Sequence, residues 1–355
     1  MSKVGKYIYG IINSNTPFRL FIPKVVLPQG EKEATEVVYT IPYQDISAIV
    51  TKSEIIDYTH MFKDTLVRLL VEHQKVIERI MGLKYTITPM RLGTFALDEE
   101  EVKDILSRGY GLIKEIFKKI NEKIEIDVVA MWSDFSSAIR EAGEGKEIKE
   151  FKEKLLSNPR GISVDDQMKV GIMVKKALDQ IKDRYVSKIQ NVLSTVCDCF
   201  KQHELMDDKM VANFAFLIDK TKEKEFYGKI ENLNYEFKEL LDFRCVGPLP
   251  PYSFYTLEIK KLQFQEIDWA RKKLGILNDS IAKDEVKKTY YRLALSFHPD
   301  KNPNKPGTEK EFDEIKKSYN ILLDYCQSCE QADQENLFFN EDEFKKNALL
   351  VKLRD

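Results

Sequence analysis

The feature that most constrains this chain is a pair of amphipathic helical patterns near its C-terminus, separated by a short proline-containing segment. In residues 280–297, and again from residue 308, apolar side chains recur with the spacing of one helix face. The two stripes consist of Val286, Tyr290, Leu293, Ala294 and Phe297 in the first helix and Phe312, Ile315, Tyr319, Leu322 and Leu323 in the second. Helices of this kind bury their stripes against each other, so the pattern predicts an antiparallel helical hairpin.

The segment between the two helices begins with His298, Pro299 and Asp300. Because proline cannot continue a helix and disfavours helical geometry at the preceding residue, the first helix should end just before His298. We therefore expect the imidazole and the carboxylate at the tip of the hairpin. The polar side of the first helix carries Lys287, Lys288 and Arg292. By itself the tripeptide is also compatible with ordinary helix termination, since a histidine at a helix C-terminus complements the helix dipole.

The composition is that of a globular protein without a strong overall charge. With 355 residues, 43% of them hydrophobic, the chain should form about two or three cores. A formal net charge of −2 provides no overall field for nucleic acid or an anionic membrane. The sequence shows neither a signal peptide nor an apolar run long enough to span a membrane, so we expect a cytoplasmic protein with no nucleic-acid or membrane partner.

The cysteines favour free thiols. Their number is five, which is odd, and the chain is long enough to need no disulfide framework. Cys326 and Cys329 form a single C-x-x-C, and Cys197 and Cys199 form a single C-x-C. Neither has a second pair at zinc spacing, so buried thiols are favoured over a metal site, and no cofactor is predicted.

Before the hairpin, the chain alternates between strand and helix patterns. Helices are predicted over 59–81, from Asp98, from Ser163 to Phe200 and over 221–240. Strands are predicted for KIEIDVVAMW, with Glu125 and Asp127 on its polar face, for the apolar VANFAFLI, and as a strand-turn-strand over 241–259. This order predicts an α+β protein: two small α/β units linked by a long helix, then an all-α helical hairpin and a C-terminal helical tail.

Five segments are predicted from these patterns. They are an N-terminal α/β domain over 1–135, a helical connector over 136–204, a second α/β unit over 205–262, a helical domain over 263–328 and a C-terminal tail over 329–355. In the tail, Phe338, Phe344, Leu349 and Val351 are expected along one side of a helix, where they either dock on the neighbouring helices or bind a partner.

Neither catalysis nor RNA binding is favoured by the motifs in the sequence. Phosphate-binding loops, nucleophile elbows and metalloprotease helices are absent, and His60, His73 and His203 are expected as surface or core residues in helical or helix-end stretches. We therefore predict that the protein is not an enzyme. Tyr7 and Tyr9 share a strand face that can stack bases, but a basic, aromatic strand motif is lacking, which argues against RNA binding.

The stretch DEVKKTYYRLALSFHPDKNPNKPGTEKEFDEIKKSYNILLD, residues 284–324, closely resembles the J-domain of DnaJ-type co-chaperones. The resemblance rests on K-K-x-Y before the helix core, on H-P-D-K-N, and on F-x-x-I-x-x-x-Y-x-x-L after it. It implies that His298, Pro299 and Asp300 engage a DnaK-type chaperone and trigger its ATP hydrolysis. Lys287, Lys288 and Arg292 would then form the docking face. Tyr325 departs from the family pattern, which commonly has a proline there.

The preceding residues resemble the gas vesicle protein F/L family. The resemblance is carried by KYIYGI near the N-terminus, by PMRLGTF at 89–95, by VANFAFLI and by GPLPPYSF at 247–254, where Leu249 replaces the usual tryptophan. It implies an accessory protein of gas vesicle assembly that binds the hydrophobic shell subunit and other gas vesicle proteins. The alternative is a minor structural component of the vesicle with a J-like domain that does not couple to a chaperone.

The family motifs admit both a structural and a partner-binding role. For GPLPPYSF, Gly247, Pro250 and Pro251 predict a rigid turn, with Tyr252 and Phe254 on one strand face. In PMRLGTF, Arg91 is expected to pair with an internal carboxylate or to meet a ligand, and Gly93 is expected in a turn or bulge.

Overall fold

The computed structural model describes residues 3–23, 35–58, 60–157, 161–302 and 306–354. Its strands are β1 Val4–Ile12, β2 Arg19–Pro23, β3 Thr35–Tyr43, β4 Ile46–Glu54, β5 Ile87–Pro89, β6 Phe95–Ala96, β7 Lys123–Trp132, β8 Cys199–Gln202, β9 Met210–Asp219, β10 Leu241–Leu249, β11 Leu257–Lys261, β12 Ser280–Ala282, β13 Asn336–Phe338 and β14 Leu349–Leu353. Its helices are α1 Lys63–Gly82, α2 Glu99–Ile120, α3 Phe135–Ala142, α4 Lys146–Leu156, α5 Val164–Leu193, α6 Glu223–Glu236, α7 Tyr252–Tyr255, α8 Phe264–Lys273, α9 Lys283–Ser296, α10 Thr308–Glu330 and α11 Glu341–Lys346. The predicted mixed α/β fold class is confirmed.

The chain forms two compact units. The first contains residues Met1–Lys119 and Tyr255–Asp355, and the second contains Ile120–Phe254. The five segment boundaries predicted from the sequence remain a prediction beside this division.

The N-terminal part of the first unit is an antiparallel sheet with strand order β2-β3-β4-β1-β5, and β6 also pairs with β1. The helix α1 packs on β1 and β5 and buries His73, Val76, Ile77 and Ile80. Two apolar residues of the helix predicted over 59–81 lie outside this buried face, because Phe62, just before α1, and Leu70 are exposed. The helix α2 begins as predicted, with Asp98 accepting a hydrogen bond from the Glu101 N–H at 2.9 Å.

The C-terminal part of the first unit has a core shared by α8, α9, α10 and the tail. The helices α8 and α9 both pack on α10. The tail differs from the predicted helix: β13 pairs with β12, the short helix α11 follows, and β14 pairs with β11. Leu349, Leu350 and Val351 are buried in β14, so this segment gains more by completing a strand pair than it would by extending α11.

The second unit is a β-α-β-β-α-β arrangement with sheet order β10-β7-β9-β8, which is the ferredoxin-like topology. As predicted, VANFAFLI forms a central strand, β9, between β7 and β8. The predicted strand-turn-strand over 241–259 is wrong, because β11 pairs with β14 of the first unit and does not return along β10.

The long helix α5 lies in the second unit and begins with the predicted capping box of Ser163 and Asp166. It ends at Leu193 and does not reach Phe200, which lies in β8. The side-chain hydroxyls of Ser194 and Thr195 donate to the carbonyl groups of Asn191 and Val192, at 3.3 and 2.7 Å. These bonds satisfy two of the last helical carbonyl groups, and the helix ends seven residues before the predicted Phe200.

Among the described residues, no helix is both long and apolar enough to cross a bilayer. No group of three or more His, Cys, Asp or Glu side chains among them could hold a metal ion.

Cys326 and Cys329 are buried, and this burial raises the pKa of both thiols, to about 12 and about 11. They are protonated at neutral pH, whereas Cys199, expected to be buried, is exposed.

Candidate functional site

The hairpin of α9 and α10 is held together by the predicted stripes. Val286 on α9 and Ile315 and Leu322 on α10 are buried, and the rings of Tyr290 and Tyr319 stack with centroids 4.0 Å apart. The helix α8 adds Ile267 and Ala270 to the same core. The first helix begins at Lys283 and not at Ser280, because residues 280–282 form the strand β12. Asp300 and Lys301, which follow α9, are left exposed by this packing.

The connection begins as the sequence predicts. The helix α9 ends at Ser296, His298 is extended with φ −62° and ψ 130°, and Pro299–Lys301 form one 3₁₀ turn. The side chain of Asn302 donates to the carbonyl oxygens of Ser296, at 2.9 Å, and His298, at 3.1 Å. These bonds satisfy carbonyl groups at the helix end and fix the backbone on which the tripeptide is displayed.

The side chains of His298 and Asp300 are oriented by local contacts. The Asp300 N–H donates to His298 Nδ1 at 3.2 Å, which orients the imidazole ring. The imidazole also packs edge-on against Phe312, with ring centroids 5.4 Å apart. The Asp300 side chain is 90% exposed, and its Oδ2 lies 3.7 Å from His298 Nδ1. The tip thus presents a carboxylate that is almost fully solvated beside an imidazole of fixed orientation.

The outer face of α9 is basic, as predicted. Lys287, Lys288 and Arg292 are exposed, and none of the three forms an ion pair within the described part of the chain. Tyr291 and Leu295 are exposed on the same helix. Unneutralised cations beside exposed apolar side chains suit a protein partner with an acidic surface.

The motif PMRLGTF lies in the first unit, at the end of β5 and in the turn before β6. Arg91 is exposed, and its Nη1 donates to Glu258 Oε2 at 3.1 Å, while its backbone N–H donates to the Leu257 carbonyl at 2.8 Å. Gly93 has φ +83°, and a Cβ there would approach Tyr58 Cδ2 to 2.8 Å. Glycine is therefore required at this turn, and the Arg91 pair anchors β11 beside it.

The motif GPLPPYSF lies in the second unit, from the end of β10 into α7. Pro250 and Pro251 are buried, and a Cβ on Gly247 would lie 3.1 Å from the Glu125 carbonyl oxygen. Tyr252 and Phe254 belong to the short helix α7, so their predicted place on one strand face is wrong. The two prolines prevent β10 from continuing, which allows the helical turn to form.

A cluster of polar side chains beneath this motif was not predicted. Glu125 on β7 is only 1% exposed, and it accepts hydrogen bonds from the Ser253 N–H at 2.9 Å and the Ser253 hydroxyl at 2.7 Å. His203 Nε2 lies 3.1 Å from the same hydroxyl. His203 follows the strand β8 in a loop, so its predicted place in a helical or helix-end stretch is wrong. The alternation of β7 gave the face of Glu125 correctly, but no local pattern shows that α7 covers it.

The environment of Glu125 favours its protonated form. Burial raises its pKa, and repulsion from Asp127, two residues along the same strand face, raises it further, although the Ser253 hydrogen bonds oppose the shift. Burial likewise raises the pKa of Asp127, and the charge of His203 partly opposes that shift. At a pH above the ordinary pKa of a carboxyl group, Glu125 and Asp127 therefore bind more protons in the folded protein than in the unfolded chain.

We expect Glu125→Gln to reduce the loss of stability at alkaline pH. A folded-state pKa above the unfolded value means that stability falls as pH rises from about 4.3 through the raised pKa. The glutamine amide can accept from the Ser253 N–H and donate to its hydroxyl, like the protonated acid. Thermal unfolding between about pH 5 and 9 should show the wild type losing about 2 kcal/mol more than the variant. Glu231→Gln, on the exposed face of α6, is the matched control. Parallel curves for Glu125→Gln and wild type would contradict this account.

The structure brings the predicted residues together in three places. His298, Pro299 and Asp300 form the hairpin tip, and Lys287, Lys288 and Arg292 lie on the adjoining helix α9. Arg91 and Gly93 lie at the β5–β6 turn of the same unit, whereas the residues of GPLPPYSF lie in the second unit. The hairpin tip and α9 carry a carboxylate, an imidazole and three cationic side chains, which are suited to binding another protein.

Two family models match successive parts of the chain. The family model described as gas vesicle synthesis protein GvpL/GvpF matches residues 5–256. The chain belongs to the GvpL/GvpF family. Among its curated GvpL/GvpF relatives, gas vesicle protein F of Nostoc sp. is 23% identical over 225 residues, which cover 61% of this chain and 91% of that protein. Gas vesicle protein F of Microcystis aeruginosa is 22% identical over 264 residues, which cover 72% of this chain and 99% of that protein.

Solved structures share the fold of the GvpL/GvpF part. The crystal structure of GvpF from Anabaena sp. aligns with a TM-score of 0.58 at 23% identity and covers 72% of this chain and 99% of that chain. The crystal structure of GvpF from Microcystis aeruginosa gives a TM-score of 0.57 at 21% identity and covers 71% of this chain.

The C-terminal part carries a DnaJ domain, whose family model matches residues 272–328. Chaperone protein DnaJ of Chlorobium limicola is 49% identical over 49 residues, which cover 14% of this chain and 12% of that protein. The DnaJ homolog subfamily C member 5B of Sus scrofa is 48% identical over 48 residues and 24% of its length. The chain therefore spans only the J-domain of these relatives, appended to a GvpL/GvpF protein.

Proposed function

We propose that this protein is a gas vesicle assembly factor that recruits a DnaK-type chaperone to the hydrophobic shell subunit. The GvpL/GvpF part binds the shell subunit and other gas vesicle proteins, and the J-domain binds the chaperone. The protein acts in the cytoplasm, at forming gas vesicles. Hydrolysis of ATP takes place on the chaperone, so the chain itself supplies binding and positioning.

The observation that carries this proposal is the inclusion of the J-domain in the same compact unit as the N-terminal sheet. Lys261 pairs with Glu101 on α2 at 2.5 Å, and the Arg108 guanidinium on α2 donates to the Lys346 carbonyl of the tail at 2.5 Å. With β11 bonded to Arg91, these contacts join the two parts through structured segments. A chaperone docked on α9 would then be held to the N-terminal sheet of the GvpL/GvpF part, which we propose binds the client.

The physical chemistry of a gas-facing shell favours such an arrangement. A subunit that lines a gas space exposes apolar surface before assembly, and exposed apolar surface drives aggregation. A binding protein that hands this subunit to an ATP-driven chaperone keeps it soluble until it is incorporated. The exposed carboxylate of Asp300 and the cations of α9 support the chaperone contact, since complementary charge speeds association and fixes orientation.

We expect the full-length protein to capture the purified shell subunit and to suppress its aggregation on dilution from detergent. Light scattering should fall as the protein approaches a stoichiometric amount, without chaperone or ATP, because binding by the GvpL/GvpF part does not require hydrolysis. The Asp300→Asn protein is the matched control and should suppress scattering equally. Undiminished scattering at stoichiometric excess would contradict the client-binding part of the proposal.

Mass spectrometry of washed gas vesicles separates an assembly factor from a structural component. An assembly factor should be lost in the wash, together with the chaperone. Retention at a fixed ratio to the shell subunit would favour a minor structural component, and the J-domain would then serve the vesicle and not the free subunit.

A further inference from the structure

The first half of α5 presents an apolar stripe that no described residue of the second unit covers. Val164, Met168 and Ile172 follow one another at intervals of four residues and are 72%, 62% and 65% exposed. The helices α3 and α4 pack on α5, and the half-buried residues Val170 and Val174 lie on the opposite side of the helix. Packing within the unit therefore explains one face of α5 and leaves the other without a structural role.

The charges that flank the stripe are arranged asymmetrically along the helix. The exposed Asp165 lies beside its N-terminal end, and the exposed Lys175 and Lys176 lie beside its C-terminal end, about 15 Å away along the axis. Asp166 is occupied by the capping box with Ser163. Gly171 lies within the stripe, and beyond its own turn of helix no described atom lies within 4 Å of the position that its Cβ would occupy, so a second backbone can approach closely there.

We propose that this stripe binds the same stripe of a second copy of the chain, with the two α5 helices antiparallel. A two-fold axis near residue 170 places Met168 against Ile172 of the second copy. It also places Asp165 opposite the second copy's lysine at position 175, and the same pair forms again at the other end. A parallel arrangement would bring the two Asp165 carboxylates together, so the charges select the antiparallel one. Such an interface is isologous, the commonest kind in soluble homodimers.

The size of the stripe sets the strength of the association. Three apolar side chains per copy bury far less than the roughly 800 Å² per partner of a stable interface, so the dimer should be weak, with a dissociation constant in the micromolar range. Its consequence is multivalency: a dimer carries two J-domains and two GvpL/GvpF parts. A client with repeated subunits would be held more tightly by the pair than by either copy.

Sedimentation velocity of the full-length protein, from about 1 to 200 μM, tests the proposal. The wild type should shift from monomer to dimer across this range. Met168→Glu should remove the shift, because it buries a charge at the centre of the interface. Asp165→Lys and Lys175→Glu should each weaken dimerisation about tenfold by placing like charges opposite each other. The double variant carrying both changes restores the attraction and should return the dissociation constant to within about threefold of wild type.

A charge reversal elsewhere in the unit provides the control. Lys146→Glu, exposed on α4, should leave the monomer–dimer equilibrium unchanged. Circular dichroism should confirm that each variant keeps its helix content. A wild type that stays monomeric up to 200 μM overturns the proposal and leaves a vesicle protein as the occupant of the stripe. A dimer unaffected by Met168→Glu, or a double variant as weak as the single ones, overturns it equally.

Discussion

Replacement of Asp300 by asparagine is expected to reduce the stimulated ATPase rate of a DnaK-type chaperone to its unstimulated rate. The change removes one negative charge at the tip of the hairpin and leaves the size of the side chain unchanged. The Asp300 side chain is 90% exposed, so the fold should be unaffected. The orienting hydrogen bond to His298 is made by the backbone N–H of residue 300 and should also persist. The effect should therefore appear in single-turnover hydrolysis, with no change in thermal stability.

The control is Asp313→Asn, which removes the same charge from an exposed position on α10. It should stimulate hydrolysis like the wild type. The double variant Lys287→Glu/Lys288→Glu should raise the half-saturating concentration about tenfold and retain the maximal rate, because it weakens docking and leaves the tip intact. Full stimulation by Asp300→Asn would contradict a chaperone-activating role for the tripeptide.

Removal of the tail after Glu330 is expected to unfold the J-domain. The buried apolar side chains that would be lost are Leu337, Phe339, Phe344, Leu349, Leu350 and Val351. At about 1.5–3 kcal/mol for each buried side chain, the loss is on the order of 10 kcal/mol, comparable to the whole stability of a domain. Truncation also removes two hydrogen-bond acceptors. The Tyr325 hydroxyl donates to the Phe338 carbonyl at 2.6 Å, and the Ser328 hydroxyl donates to the Leu349 carbonyl at 2.8 Å.

Hydrogen exchange of residues 264–330 in the truncated chain should therefore approach that of an unfolded segment. A pair of substitutions on α11 refines the prediction. Phe344→Ala should cost about 3–5 kcal/mol through the cavity that it leaves, whereas Lys345→Ala on the exposed side should cost less than about 0.5 kcal/mol. Native exchange protection of the J-domain after truncation would show that the three helices are stable without the tail.

Local patterns in the sequence were sufficient for the hairpin. The apolar stripes of α9 and α10, the end of α9 before His298 and the start of α10 at Thr308 all follow from helix periodicity and from proline. The capping box of α5 and the central position of β9 were also predicted correctly. In each case the determining residues are neighbours along the chain or along one helix face.

Contacts between distant segments could not be predicted in this way. The strand β14 pairs with β11, about ninety residues earlier, with Val351 opposite Ile259, and no local pattern in the tail specifies that partner. The Gln331 amide also donates to the Val351 carbonyl at 2.5 Å and accepts from its N–H at 3.0 Å. Tyr325, which departs from the J-domain pattern, is buried against this tail. That departure and the apolar residues of the tail were the signals that the end of α10 is covered.

The cluster around Glu125 was missed for the same reason. A glutamate that alternates with apolar residues on a strand normally faces water. Here the prolines of GPLPPYSF turn the chain so that Ser253 supplies two hydrogen bonds to the buried carboxylate. Ser253 lies 128 residues after Glu125, so local patterns in the sequence could not predict this contact.

Gas vesicle formation in cells tests the central claim most directly. A host lacking the native gene is complemented with wild type, Asp300→Asn or Asp313→Asn at equal protein levels, and the fraction of shell subunit found in floating vesicles is measured. The account predicts that Asp300→Asn leaves most of the subunit aggregated and that Asp313→Asn restores vesicles fully. Equal vesicle yield from Asp300→Asn and wild type would contradict a coupling between vesicle assembly and chaperone recruitment in this chain.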